Sequence, residues 1–172
     1  MEIRLRPFRE DDLDVFEAER ATPELRGEFQ WYGHHSYRRL RQDFAENGLL
    51  GADSGRLAID ADGDTAGWVM WSKMAWGPDS TCWCWTIGIC VFSDFRYKGI
   101  GTEAQRQLVD YLFAHTRAER IQCFTDVANR SEQRAVEKIG FEREGILRRS
   151  QWRNGDWHDQ VLYSVLRERI PQ

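Results

Sequence analysis

A chain of 172 residues, 41% hydrophobic and 30% charged, suits one domain over residues 1–172 built on a single core. Its formal net charge of −4 argues against nonspecific binding to DNA, and no apolar run reaches the about 18 residues a membrane span needs. The opening M-E-I-R-L-R-P lacks the apolar centre of a secretory signal, so the expectation is a soluble, cytoplasmic protein with no membrane association.

Ile3, Leu5 and Pro7 alternate with charged residues, the pattern of a short strand. Asp11 or Asp12 is the expected cap of a helix carrying Leu13, Val15 and Phe16, and Pro23 breaks that helix. Residues 27–35 read G-E-F-Q-W-Y-G-H-H, with three aromatic rings and two histidines in an expected loop. Rings away from a periodic pattern either plug the end of a core or line a ligand site. Helix returns over residues 36–47, with Tyr37, Leu40, Arg41 and Phe44 at helical spacing.

A sheet follows. Strands over residues 56–60, 68–74 and 81–91 form an antiparallel meander whose first hairpin turns on D-G-D at 62–64. Trp68, Trp71, Trp76, Trp83 and Trp85 load it with aromatic surface, and the two-residue period puts Trp83 and Trp85 on one face. They either pack the core or line a pocket for a flat or cationic group. Cys82, Cys84, Cys90 and Cys123 match no zinc spacing and sit poorly for disulfides, so they are expected as small core residues.

The segment from 87 to 113 organises the rest: I-G-I-C-V-F-S-D-F-R-Y-K-G-I-G-T-E-A-Q-R-Q-L-V-D-Y-L-F. A β-rich run ends at Val91 or Phe92, a turn carries Arg96 and Lys98, and Gly99 and Gly101 open a helix with Ala104, Leu108, Val109, Leu112 and Phe113 on its apolar face. The first amides of a helix lack intrachain acceptors and carry the positive end of the macrodipole, which suits phosphate. Glycine at both positions would allow positive φ and close approach of a ligand. Residues 120–127 then form a strand parallel to the one ending at Val91. Asn129 and Glu132 form an N-x-x-E capping box for a helix through Lys138, which Gly140 stops. Strands over 146–153 and 157–166 close the chain around the turn at Asn154 and Gly155.

The spacing R-x-x-G-x-G at Arg96, Gly99 and Gly101, set between strand and helix, resembles the acyl-CoA pyrophosphate loop of the GNAT superfamily of N-acetyltransferases. The run N-R-S-E-Q-R-A-V-E-K-I-G-F from 129 to 141 resembles the subgroup containing the ribosomal-protein N-terminal acetyltransferases. The resemblance implies an α/β (α+β) fold: a mixed, mostly antiparallel sheet with a central splayed parallel strand pair flanked by helices. It implies acetyl-CoA as co-substrate, no metal, and transfer of acetyl to a primary amine, either a peptide α-amine or a small-molecule amine, by direct attack. Pantetheine amides would pair with the backbone at Ile89 and Val91, a backbone amide near Val91 would polarise the acyl carbonyl, and Asn129 would hydrogen-bond the arm. The pyrophosphate would lie on Arg96, Lys98, Gly99, Gly101 and Thr102, in a loop that includes Tyr97 and Ile100.

The chain also departs from the family. Ala135 and Val136 stand near where many members carry an acidic tyrosine, and Thr86 is the most polar residue of the strand that often holds a glutamate base. Glu132 or Ser131 would then serve the departing thiolate, and His34, His35, Glu28 and Asp159 are candidate proton acceptors. Glu28, Phe29, Trp31 and His35, with Trp83 and Trp85, would form the acceptor pocket. Two alternatives stay open: a non-catalytic acyl-CoA-binding or sensing domain, and a transferase whose donor is acyl carrier protein or aminoacyl-tRNA. A homodimer stays open as well.

Overall fold

Alternating side chains along the strands sort into two separate apolar clusters, one on each face of a seven-stranded sheet. The computed structural model describes residues 1–167, and the last five residues of the expected domain lie outside them. In chain order the elements are β1 (Ile3–Arg6), α1 (Glu10–Ala18), α2 (Pro23–Arg26), α3 (Arg38–Asn47), β2 (Ser54–Ala61), β3 (Asp64–Ala75) and β4 (Trp83–Val91). A 3-10 turn (Ser93–Phe95) leads to α4 (Ile100–His115), β5 (Arg120–Asp126), α5 (Arg130–Lys138), β6 (Glu142–Arg153) and β7 (Asp156–Leu166). The strand order is β1-β2-β3-β4-β5-β7-β6, and β4 with β5 is the one parallel neighbour pair among the described residues.

Leu57, Ile59, Val69, Trp71, Trp85 and Ile87 point to one face, where Ala104, Leu108 and Leu112 of α4 bury completely against them. Ala58, Trp68, Cys90 and Phe92 point to the other, under Leu13 and Phe16 of α1 and Leu40 of α3. Both hairpins turn as their sequences dictate. Asp62 and Gly63 (φ 53° and 98°), like Asn154 and Gly155 (φ 52° and 84°), take paired positive φ, the twist that joins right-handed strands.

Several expectations need correction. Asp12 is not the helix cap. Arg9 precedes α1, and the Asp12 carboxylate accepts its N–H at 2.7 Å from within the first turn. That carboxylate is also gripped by Arg6 at 2.6 Å and by the Thr65 hydroxyl at 2.7 Å. Pro23 breaks no helix, because α1 already ends at Ala18; proline instead opens α2, where its missing N–H costs nothing. Helix α3 starts at Arg38, two residues later than expected. Cys82 lies before β4 and is exposed, whereas Cys84, Cys90 and Cys123 are buried thiols.

Candidate active site

Strands β4 and β5 pair only at Trp85 with Ile121 and Thr86 with Gln122, and beyond that point they part. Phe92 N–H donates to the Ala66 carbonyl at 2.9 Å, so antiparallel alternation turns the main chain of even-numbered β4 residues toward β3. The N–H and C=O groups of Ile89 and Val91 therefore face the gap. Two side chains cap the carbonyls there: Gln30 Nε2 donates to Ile89 at 2.7 Å and Arg96 Nε donates to Val91 at 3.0 Å. The Ile89 and Val91 amides have no strand beside them. Gln30 Oε1 is buried without a partner among the described residues, an acceptor placed for a ligand N–H.

The gap opens into a cleft of about 340 Å³, bounded on one side by the start of α4 and on the other by residues 26–30. Gly99 caps α4 at φ 79°, and Tyr97 before it also takes positive φ, at 62°. Gly101 behaves differently from the expectation. It lies within the helix with no positive φ, and a Cβ there would touch Val91 Cγ2 at 3.4 Å. Backbone freedom is not what position 101 uses, and a side chain longer than one methyl would press on the Val91 and Ile89 side chains.

Arg96 lines the same cleft and has a structural task there as well. Besides Val91, its guanidinium donates to the Leu25 carbonyl and stacks beside Gly27, tying β4 to the end of α2 instead of pointing into solvent. Lys98 Nζ donates to the Asp94 carbonyl at 2.7 Å, and Tyr97 is almost fully exposed. The anion-binding capacity of this turn thus rests first on the free amides of Ile100, Gly101 and Thr102. An acyl-CoA fits the arrangement, with pyrophosphate on those amides and the arm along Ile89 and Val91.

Asn129 caps α5 by accepting the Glu132 N–H at 3.3 Å, but the reciprocal bond of a capping box is missing. The Glu132 carboxylate turns instead into the cleft wall, near Gln105 and Cys123. Burial pushes its carboxyl up to about 7, against a smaller opposing pull from Gln105. Asn129, exposed Ser131 and Ala135 line the same cleft.

The expected acceptor residues are divided. Glu28 and Phe29 line the cleft. Trp31 packs edge-on against His34, with centroids 5.2 Å apart, and neither lines it. His35 belongs to a second cavity. Trp83 and Trp85 share a face as expected, 5.3 Å apart, but they pack against the core, where Trp85 Nε1 donates to Thr116 Oγ1 at 3.0 Å. Asp159 accepts the Arg149 N–H at 2.7 Å, away from the cleft.

Two residues that the sequence reading missed, Arg26 and Gln30, line the cleft. Gln30 holds the strand edge, and buried Arg26 reaches Cys90 Sγ at 3.2 Å. Nothing in the sequence singles them out, since Arg26 ends α2 and Gln30 shares its loop with Glu28, His34 and His35. Behind them lies a buried ion pair, Arg153 with Asp126 at 2.8 Å, whose guanidinium sits 5.3 Å from the Phe29 ring centre.

Residues 2–142 match the family model of the acetyltransferase (GNAT) domain. Among curated proteins, the probable N-acetyltransferase YjcK of Bacillus subtilis is 41% identical over 80 residues, 46% of this chain and 44% of that protein. The putative ribosomal N-acetyltransferase YdaF of the same organism is 37% identical over 81 residues, 47% of this chain and 44% of that protein. The alignments thus span a little under half the length of these relatives. Among solved structures, Mycobacterium smegmatis RimJ in complex with CoA-disulfide superposes with a TM-score of 0.79 at 22% identity, covering 99% of this chain and 84% of that one. Vibrio cholerae spermidine N-acetyltransferase in complex with CoA and spermine gives 0.77 at 18% identity, with 95% of each chain covered. At these identities the structural likeness speaks for the fold alone.

Proposed function

We propose that this chain, which belongs to the GNAT acetyltransferase family, works as a single domain over residues 1–172 that moves an acetyl group from acetyl-CoA to a primary amine of low pKa. The observation that carries the proposal is the splayed end of β4, where the Ile89 and Val91 amides open beside the start of α4 and the Glu132 carboxyl. Bound acetyl-CoA would supply an activated acyl carbon as its thioester. The free Val91 N–H is suited to polarise the carbonyl, in a site where preorganised donors are worth more than in water. Gln30 and Arg96 hold that strand edge in place.

Attack needs a neutral amine. Glu132, with its carboxyl at about 7, is matched to take the proton from an α-ammonium, whose pKa is about 7.7–8.0. As nitrogen bonds to the acyl carbon the carbon–sulfur bond breaks, and the proton held on Glu132 is available to the thiolate. A lysine ammonium, at about 10.4, is ~0.1% neutral near pH 7.4 and would ask far more of this base. The acceptor is therefore a peptide α-amine or a small amine of similar pKa.

The test is mass spectrometry after incubation with acetyl-CoA and an amine panel at pH 7.5. Acetylation of α-amino peptides or weakly basic small amines is expected. Robust acetylation of lysine side chains with no α-amine product would overturn the assignment.

A further inference from the structure

The second cavity, about 650 Å³, lies on the face of the sheet that carries α1 and α3, and its lining includes Arg20, Arg56 and His35. Its interior is cationic. Arg20, Arg26 and Arg56 place their guanidinium carbons 5.6, 5.5 and 5.3 Å from the ring centre of one indole, Trp68. Among the described residues the Arg56 guanidinium has no hydrogen-bond or ion-pair partner, and that of Arg20 has only the Tyr37 hydroxyl at 3.4 Å. The carboxylates of the wall answer these charges only in part: Asp43 attracts Arg56 from a distance but pairs with Arg39 at 3.8 Å, and Glu46 is exposed. Burial is the main penalty on Arg26 and Arg56, and repulsion among the three clustered guanidinium groups adds to it. Aromatic faces offset part of that cost, but they supply no acceptor for the N–H groups.

Arg26 stands between this cavity and the reaction cleft: it lines the cleft, and it shares the Trp68 indole with Arg20 and Arg56, which line the cavity. Arg56 pairs with Met70 and Met70 with Gly88, so Arg56 lies two strands across and three residues back from Val91. Those steps separate the two α-carbons by ~14 Å. An arginine side chain recovers roughly half of that, which leaves ~7–10 Å between an anion on the guanidinium and an amine at the Val91 amide, the span of two to three extended residues.

We propose that the second cavity seats the negative end of the acceptor, which is an α-amino peptide carrying a carboxylate at its second or third residue. Arg20 and Arg56 hold that carboxylate while the α-amine enters the cleft past Arg26. A polyamine is the wrong sign for this wall. The inference rests on the amine-acetyltransferase reading and narrows its substrate class.

Two measurements separate the inference from that reading. Steady-state kinetics compares Ala-Ala-Glu-Ala-amide, Ala-Ala-Gln-Ala-amide, Ala-Ala-Lys-Ala-amide and spermidine as acceptors. Titration calorimetry measures binding of the acetylated Glu peptide without turnover. Wild type should favour the Glu peptide over the Gln peptide through KM by ~10-fold, the worth of one charge-assisted hydrogen bond. Arg56→Gln and Arg20→Gln should each remove most of that preference and leave kcat on the Gln peptide unchanged, whereas Arg56→Lys should keep most of it. Melting curves and CoA affinity check that each variant is folded. Equal use of the Glu and Gln peptides, or a preference for spermidine, overturns the inference while keeping the transferase. If no amine is acetylated the function reading fails, and calorimetry still decides the cavity: tighter binding to wild type than to Arg56→Gln sustains it, and equal binding overturns it.

Discussion

Glu132→Gln should make the protein more stable and the enzyme worse, and the two effects can be measured separately. Burial lifts the Glu132 carboxyl from its ordinary 4.5 to about 7. The folded state therefore holds this proton more tightly than the unfolded chain does. The wild type carries no penalty below about pH 4.5, an increasing one as pH rises toward 7, and the full penalty above it. The interval corresponds to ~3 kcal/mol, and because the carboxylate partly meets cleft water the realised cost is about 1–3 kcal/mol. Glutamine removes it and gives up only the ~0.5 kcal/mol that a negative charge gains in the first turn of α5. Differential scanning calorimetry should find the variant melting about 2–8 °C above wild type at pH 8 and level with it near pH 4.5. Turnover should fall ~100-fold or more, and kcat/KM should lose its rise through pH 7, keeping only the titration of the amine itself. Turnover within a few-fold of wild type, with a melting difference that ignores pH, would refute both the burial argument and the base.

Gly99→Ala should cost ~1 kcal/mol through the left-handed backbone and weaken CoA binding in calorimetry, while Gly101→Val should act by pushing Val91 and the β4 edge aside. Arg96→Gln leaves the Val91 and Leu25 carbonyls short of donors and should lower stability by about 1–3 kcal/mol in urea unfolding, with KM for acetyl-CoA raised. Asp12→Asn tests the acid limb. Burial raises the Asp12 carboxyl, but the bonds from Arg6, Thr65 and the Arg9 N–H outweigh it and bring it to about 2 from 3.8. Its contribution of ~2 kcal/mol is thus complete above about pH 4 and disappears as pH falls through 2, so urea midpoints of variant and wild type should differ at pH 7 and converge at pH 2.

What the sequence made legible was local. The glycine turn before α4, the D-G and N-G hairpins and the Asn129 cap depend on residues within a few positions of one another, and the structure forms all of them. The separation of β4 from β5 after Thr86 is a matter of register between residues 36 apart in the chain, which the family resemblance implied but no period along either strand announces. Arg96 lines the cleft with the glycine turn, and what the sequence did not show is that its planar fork also serves two carbonyls from different elements. The Trp68 guanidinium cluster gathers Arg20, Arg26 and Arg56 from a loop, a helix and a strand, so the sequence shows only scattered charge. Glu132 was favoured as a capping residue because its spacing from Asn129 is right. Missing from the sequence was that the Asn129 N–H already donates to the Asp126 carbonyl at 2.9 Å, so the Glu132 carboxylate is not held there and lines the cleft.

An unpaired strand edge inside a sheet is a liability unless its polar groups are managed. In β4 the management is selective. The two carbonyls that face the gap, those of Ile89 and Val91, are capped by Gln30 and Arg96, and the two amides are left open. An edge that offers donors without free acceptors cannot continue the sheet with another strand, which would need both. It is matched to a ligand that presents carbonyl oxygens at strand spacing, as an acyl group and an amide-linked arm do. Among the described residues Gln30 Oε1 is buried at the gap without a partner, on the side chain that caps Ile89, where an arm amide would find it. Gln30→Ala should for this reason weaken CoA binding more than its loss of packing would, because it frees a carbonyl on the strand and removes an acceptor from the ligand at once. Calorimetry with CoA and with a pantetheine-free adenosine diphosphate separates the two: the loss should appear with CoA and vanish with the nucleotide, and an equal loss with both would place Gln30 outside the path of the arm.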